Sequence, residues 1–109
     1  MQEGKDMLKH IVVWKFKEWA EGRSKRENLE LAQALLETLP ASVPAIRHLE
    51  AGLNIVDTDA SYDLALLVDV DDRRALNDYL NHPSHQAVSA RIAPLCESRV
   101  CVDKENRQK

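Results

Sequence analysis

An α+β domain with its elements in the order β, α, β, β, α, α, β is predicted by three observations in the 109-residue sequence. Two runs, from Leu8 to Phe16 and from Tyr62 to Val70, are rich in β-branched, aliphatic and aromatic residues and divide into two faces with the two-residue period of a strand. Other stretches repeat apolar residues every three to four positions, the period of an amphipathic helix. A Ser-x-x-Glu box at Ser24 and prolines at positions 40 and 83 mark where those helices begin and end.

The chain opens with a polar stretch, Met1 to Asp6, read as a flexible tail, so that the domain runs from Met7 to Asp103 and residues 104 to 109 form a second, charged tail. In the first strand His10, Val12, Trp14 and Phe16 share one face, and Ile11, Val13 and Lys15 share the other. Both faces carry apolar groups, so both should be covered. Ser24-Lys25-Arg26-Glu27 has the form of a capping box, in which Ser and Glu satisfy reciprocal backbone donors. Leu29, Ala32, Leu35, Leu36 and Leu39 then form one apolar stripe, and Pro40 is expected to stop the helix because it cannot continue the hydrogen-bond ladder.

A second, less regular strand is expected from Ile46 to Val56, with Gly52 as a bulge or close-approach point. Asp57 to Ser61 has turn chemistry, and Tyr62 to Val70 suits the centre of a sheet. Asp71 or Asp72 can cap a helix presenting Leu76, Tyr79 and Leu80, which ends at His82 because the residue before a proline disfavours the helical conformation. Pro83 suits the first turn of the next helix, where His85, Val88, Ile92 and Leu95 share a face. Val100 and Val102 mark the last strand.

This order is the split βαβ arrangement of a ferredoxin-like domain, a four-stranded antiparallel sheet with helices on one face. The other face, carrying Ile11, Val13, Ala65 and Leu67, would stay open, and a second copy of the chain laid against it is the simplest cover.

Composition narrows the function classes. Fifteen Lys and Arg are scattered among eighteen Asp and Glu, giving a formal charge of −3, and no basic stripe of the kind nucleic acid needs is present. No apolar run approaches the ~20 residues of a spanning helix, and the amino terminus lacks a secretory core, so a cytoplasmic protein without membrane contact is expected. Cys96 and Cys101 form neither a C-x-x-C pair nor a disulfide framework and read as reduced thiols. No phosphate-binding loop or nucleophilic triad is found, and no cofactor is expected. His82 and His85 share a spacing seen in metal pairs, and Asp57, Asp59, Asp69, Asp71 and Asp72 offer oxygen ligands, but turn and helix capping explain these residues at lower cost and no metal is assigned.

The segments Lys9-His10-Ile11-Val12-Val13-Trp14-Lys15-Phe16-Lys17 and Asn81-His82-Pro83-Ser84-His85-Gln86 resemble the two signatures of the stress-responsive A/B barrel (Dabb) family. Its members begin K-H-I-V-x-x-K-F-K and carry H-P-x-H late in the chain. The resemblance extends from about Leu8 to Asp103 and includes Pro44 to Arg47, Tyr62-Asp63 and Tyr79-Leu80. It implies a homodimeric α/β barrel in which two four-stranded sheets face each other, here through Ile11, Val13 and Leu67. Family functions are not uniform: members are often named for stress induction, and one plant branch looks like polyketide cyclases that close an aromatic ring by aldol condensation.

In that branch the positions matching His10, Tyr79 and His85 line the pocket, and the histidine matching His85 is the proposed general base. A histidine suits that task because its imidazole accepts a proton near neutrality, and a tyrosine hydroxyl can polarise a carbonyl. Leu36 and Leu64 stand where the branch has polar groups, so an apolar pocket including Val12, Trp14, Leu36, Leu64 and Leu66 is expected between sheet and helices, suited to a small apolar or aromatic ligand. Structural roles compete with these. An inward histidine beside a proline commonly bonds a backbone carbonyl, and Tyr79 can be a core aromatic with its hydroxyl at the surface. His82 belongs to the turn between helices, and His48 to a strand surface.

Overall fold

The computed structural model describes residues 7–106. Its elements are β1 (Met7–Phe16), β2 (Trp19–Ala20), β3 (Arg23–Ser24), α1 (Lys25–Glu37), α2 (Leu39–Ser42), β4 (His48–Leu53), β5 (Leu64–Val70), α3 (Arg73–Asn81), α4 (Pro83–Ile92), a short 3-10 turn at Ala93–Leu95, and β6 (Cys96–Asn106). The main sheet is antiparallel with order β4-β5-β1-β6, so that β1 lies between β5 and β6. The helices cover one face, as expected for the ferredoxin-like class.

Burial alternates without exception along β1 and β5. On the helix side Val12, Trp14 and Phe16 join Leu64, Leu66, Val68 and Val70 against Leu29, Ala32 and Leu36 of α1 and Val88 and Ile92 of α4. On the other side Ile11 and Val13 of β1 are only half-buried, and Val100 and Val102 of β6 are 51% and 56% exposed. Register pairs Ile11 with Leu67 and Val102, and Val13 with Ala65 and Val100, so these six residues form one apolar strip across three strands.

Several expectations are corrected. The polar stretch after β1 folds into a hairpin, β2 and β3, turned by Glu21 (φ 52°) and Gly22 (φ 76°), the two consecutive left-handed residues that a tight turn of matching twist requires. Buried Asn28 ties this hairpin to α1, donating to Ala20 O at 3.0 Å and accepting from Arg23 Nε at 2.7 Å. Pro40 does not stop the first helix. That helix ends at Glu37, where the Thr38 hydroxyl donates to Leu35 O at 2.6 Å, and Pro40 lies in the first turn of α2, where its missing N–H leaves no bond unmade.

β4 is shorter than the expected Ile46 to Val56, because Ile46 N–H turns back to Val43 O and Asn54 Nδ2 donates to Val56 O. Gly52 pairs in register with Ala65, and the irregularity in the main sheet falls instead between Lys15 and Phe16. β5 begins at Leu64 rather than Tyr62, since the Asp63 carboxylate accepts the Phe16 N–H at 2.7 Å and its own N–H donates to Trp14 O. β6 is much longer than expected. It starts at Cys96 and continues past Asp103 to Asn106, because β1 begins at Met7 and offers a partner that far. Residues 104–106 therefore belong to the sheet, and the remaining parts of both expected tails lie outside the described residues.

The capping box at Ser24 is formed in both directions: Ser24 N–H donates to Glu27 Oε1 at 2.9 Å, and Glu27 N–H donates to Ser24 Oγ at 3.2 Å. Ser24→Ala is expected to lower the unfolding free energy by about 1 kcal/mol, measured by urea denaturation with an unchanged m-value.

Candidate functional site

A cavity of about 250 Å³ lies between the helix-covered face of the sheet and α1, α3 and α4. Its apolar wall includes Val12 and Trp14 of β1, Leu66 of β5, Leu36 of α1, and Val88 and Ile92 of α4. The two-residue period of β1 places His10 on the same wall, one position along from Val12. Tyr79 comes from the last turns of α3. The chain then breaks at His82, whose extended conformation and ring nitrogen cap α4 by accepting Ser84 N–H at 3.0 Å, and the new helix brings His85 back beside Tyr79. The rings of Tyr79 and His85 are 4.5 Å apart, and Tyr79 meets His10 edge-on at 5.8 Å.

His85 Nδ1 lies 3.0 Å from Leu80 O. A carbonyl only accepts, so Nδ1 carries the hydrogen and the neutral ring keeps its lone pair on Nε2. Burial pushes the His85 pKa down, the Leu80 bond opposes this, and the nearby charges of His10 and Arg99 push it further down. The ring is thus neutral at neutral pH. One ring nitrogen anchors His85 to the end of α3, and the other makes no hydrogen bond among the described residues.

Tyr79 is fully buried, and its hydroxyl has no hydrogen-bond partner among the described residues. The expectation of a hydroxyl at the surface is corrected: α3 points this ring between the two histidines, where burial holds its pKa up at about 12. It remains a donor at neutral pH. His10 is also buried, and its Nδ1 lies 2.5 Å from Asp103 Oδ1. These residues are directly paired across β1 and β6, so the ladder sets the contact.

The cavity brings together His10, Tyr79, His85, Val12, Trp14, Leu36 and Leu66. Leu64, expected among them, is buried in the core outside the cavity wall. The cavity extends toward β6, whereas Leu64 sits on β5, beyond Trp14 on the opposite side of β1. His48 is exposed at a strand surface.

Sequence reading missed Asp103 and Arg99, the latter at the cavity's β6 edge. A signal was present: Arg99, Cys101 and Asp103 alternate with Val100 and Val102, so an apolar open face implied an inward face for the other set. Cys96 also borders the cavity, but burial raises its thiol pKa to about 11, which leaves it un-ionised and poorly nucleophilic. Among the described residues no three metal-ligating side chains converge, and no helix is long and apolar enough to cross a membrane.

A ferredoxin-like sheet with helices on one face and a half-polar cavity between the layers defines a class of small α/β-barrel domains. The chain belongs to the stress responsive A/B barrel domain family, which it matches over residues 8–106. It is 36% identical over 81 residues to an uncharacterized protein of Streptomyces coelicolor, covering 74% of this chain and 81% of that protein. A dimeric protein of unknown function and ferredoxin-like fold from Bacteroides fragilis superposes with a TM-score of 0.81 at 33% identity, covering 92% of this chain and 96% of the other. Hydroxynitrile lyase from Passiflora edulis shares the fold with a TM-score of 0.81 at 14% identity, over 96% of this chain and 97% of that one.

Two measurements follow from the site's energetics. Because the folded His85 pKa lies below its ordinary value of 6.5, the unfolded chain binds more protons between the two values. Stability from this residue is complete above 6.5 and is lost as pH falls toward the folded pKa. Urea denaturation from about pH 7.5 to about pH 5.5 should show that decline, and His85→Gln should make it shallower. Tyr79→Phe removes a buried donor without an acceptor, a group that costs about 1–3 kcal/mol when left unpaired. The ligand-free variant should therefore melt at or above the wild-type temperature, in contrast to the usual loss on truncating a core residue.

Proposed function

We propose that two copies of the chain pair through their open sheet faces and that each binds a small apolar or aromatic molecule in the cavity between its sheet and helices, as a cytoplasmic protein. The observation that carries the binding reading is the convergence of His10, Tyr79 and His85, from three different elements, on one cavity whose remaining wall is mostly apolar. That combination of apolar enclosure with a few placed polar groups is the usual make-up of a small-molecule site. The dimer reading is supported by the strip of Ile11, Val13, Ala65, Leu67, Val100 and Val102, and by the dimeric description of the Bacteroides relative. A paired sheet face of this kind should bury more than ~1,200 Å² in total.

A second reading, a cofactor-independent enzyme resembling polyketide cyclases, is favoured by the hydrogen-bond state of the two inner rings. His85 Nε2 holds a lone pair and Tyr79 holds an unused O–H. Together they could take a proton from a carbon beside a carbonyl while donating to the carbonyl oxygen as charge develops there. His10, held by Asp103, would assist from the third side. The Passiflora lyase supports this only to the extent that the same fold accommodates an enzyme.

Sedimentation at micromolar concentration should give a dimer, and Leu67→Glu a monomer; a monomeric wild type would remove the pairing. In a thermal-shift screen of aromatic and polyketide-like metabolites, a ligand at 100 times its Kd should stabilise the wild type by about 2.7 kcal/mol, with a smaller effect on His85→Ala. Deuterium exchange at the carbon beside the carbonyl of a bound ketone, lost in His85→Ala, would distinguish catalysis from binding alone.

A further inference from the structure

Rows of side chains cross the open face of the sheet from the β4 edge to the β6 edge. Register aligns His48, Asp69, Lys9 and Lys104 in one row, Glu50, Leu67, Ile11 and Val102 in the next, and Gly52, Ala65, Val13 and Val100 in a third. The third row tapers, with valine on β6 and β1, alanine on β5 and no side chain on β4. A hollow results at the β4 edge, bordered by Val13, Gly52, Asn54, Tyr62 and Ala65.

Nothing within the chain calls for glycine at this point. Gly52 lies outside the positive-φ region, and a Cβ added to it would meet no atom of a non-neighbouring residue within 4 Å. At the opposite edge Val100 and Val102 project into solvent, each more than half exposed. One face therefore carries a hole at one edge and apolar knobs at the other. Charge is divided in the same sense. Exposed Glu50 on β4 lies 3.8 Å from the exposed ring of His48. Lys104 on β6 donates to Asn106 and makes no ion pair among the described residues.

We propose that the paired copies are related by a two-fold axis parallel to β1, so that β6 of each lies over β4 of the other and Val100 seats in the partner's hollow at Gly52. This rests on the paired-face reading above and adds the symmetry and the contacts that set it. An isologous interface must complement itself under a single two-fold operation. Two axes lying between the sheets bring the faces together with their strands aligned, one along the strands and one across them. The axis along the strands keeps each row opposite the same row and exchanges the edges. Gly52 then receives the partner's Val100, Ala65 meets the partner's Val13, and Asp69 meets the partner's Lys9. Glu50 comes one row from the partner's Lys104, within the reach of a long side chain. The axis across the strands, centred on the two apolar rows, sets β4 on β4 and reverses the rows. Glu50 is then pressed against the partner's hollow, where an unpaired carboxylate is costly, and the hole receives no knob.

The test is disulfide trapping in the full chain carrying Cys96→Ala and Cys101→Ser. Positions 52 and 100 lie on opposite edges of the sheet, about 14 Å apart at the usual strand spacing, too far for a bridge within one chain. Gly52→Cys combined with Val100→Cys should give a reducible covalent dimer on mild oxidation, and either change alone should give none. A covalent dimer from Gly52→Cys alone marks the axis across the strands and overturns the arrangement. Sedimentation as a dimer without cross-linking of the double variant overturns it as well and leaves the pairing reading intact, whereas a monomeric wild type overturns both. Size exchange in the wild-type background gives a second readout. Gly52→Leu projects into open space in the single chain, yet it should weaken self-association about tenfold or more, and adding Val100→Ala should recover part of that loss. Unchanged association of Gly52→Leu would place position 52 outside the interface and overturn the proposal.

Discussion

The double ladder of β1 is the constraint on which the rest of the molecule depends. Hydrogen-bonded to β5 on one side and β6 on the other, it sends successive side chains to opposite faces over its whole length. One set, His10, Val12, Trp14 and Phe16, reaches the helices and supplies both core and cavity wall; the other, including Ile11 and Val13, forms the middle of the open strip. A slip of one residue would exchange the sets, exposing Trp14 and Phe16 and turning His10 away from Tyr79. The same register places Asp103 opposite His10 and Arg99 opposite Trp14, so the charges at both ends of the cavity are located by backbone pairing.

Around this frame the helices perform two separate tasks. The stripe of α1, buried at Leu29, Ala32 and Leu36, closes the core. The break at His82 and Pro83 does something that a continuous helix would not, because it turns the chain so that Tyr79 and His85 lie ring against ring instead of diverging along one axis. The resulting cluster of two imidazoles and a phenol sits at the edge of an apolar core. Its buried, unpaired hydroxyl is a cost that packing alone has no reason to retain. Natural sequences depart from the rules of satisfied burial mainly where a site must stay ready for something else to complete it.

Strongly periodic or chemically marked segments were legible in the sequence. β1, β5 and α1 follow from alternation, helical spacing and the Ser24 box, and His10, Tyr79 and His85 were singled out from a strand face, a helix and a helix stripe together with a family resemblance. Short or context-dependent features were not. The Glu21-Gly22 hairpin has two-residue strands that carry no pattern of their own, and Pro40 is compatible with either ending one helix or opening another. The length of β6 was hidden because Asp103 to Asn106 is polar throughout, and only pairing with β1 makes it a strand. Leu64 was misplaced in the pocket because alternation assigns it to the correct face without saying which part of that face the cavity occupies.

By itself, then, the sequence determined which residues face the helices and which face away, since periodicity is a local property that backbone geometry converts directly into sides. What lies opposite what was decided by tertiary structure. His10 meets Asp103 across 93 positions, and Arg99 arrives at the cavity rim through a register set by the whole sheet. Neither contact has a local signature, because pairing between distant strands depends on every residue of the ladder at once.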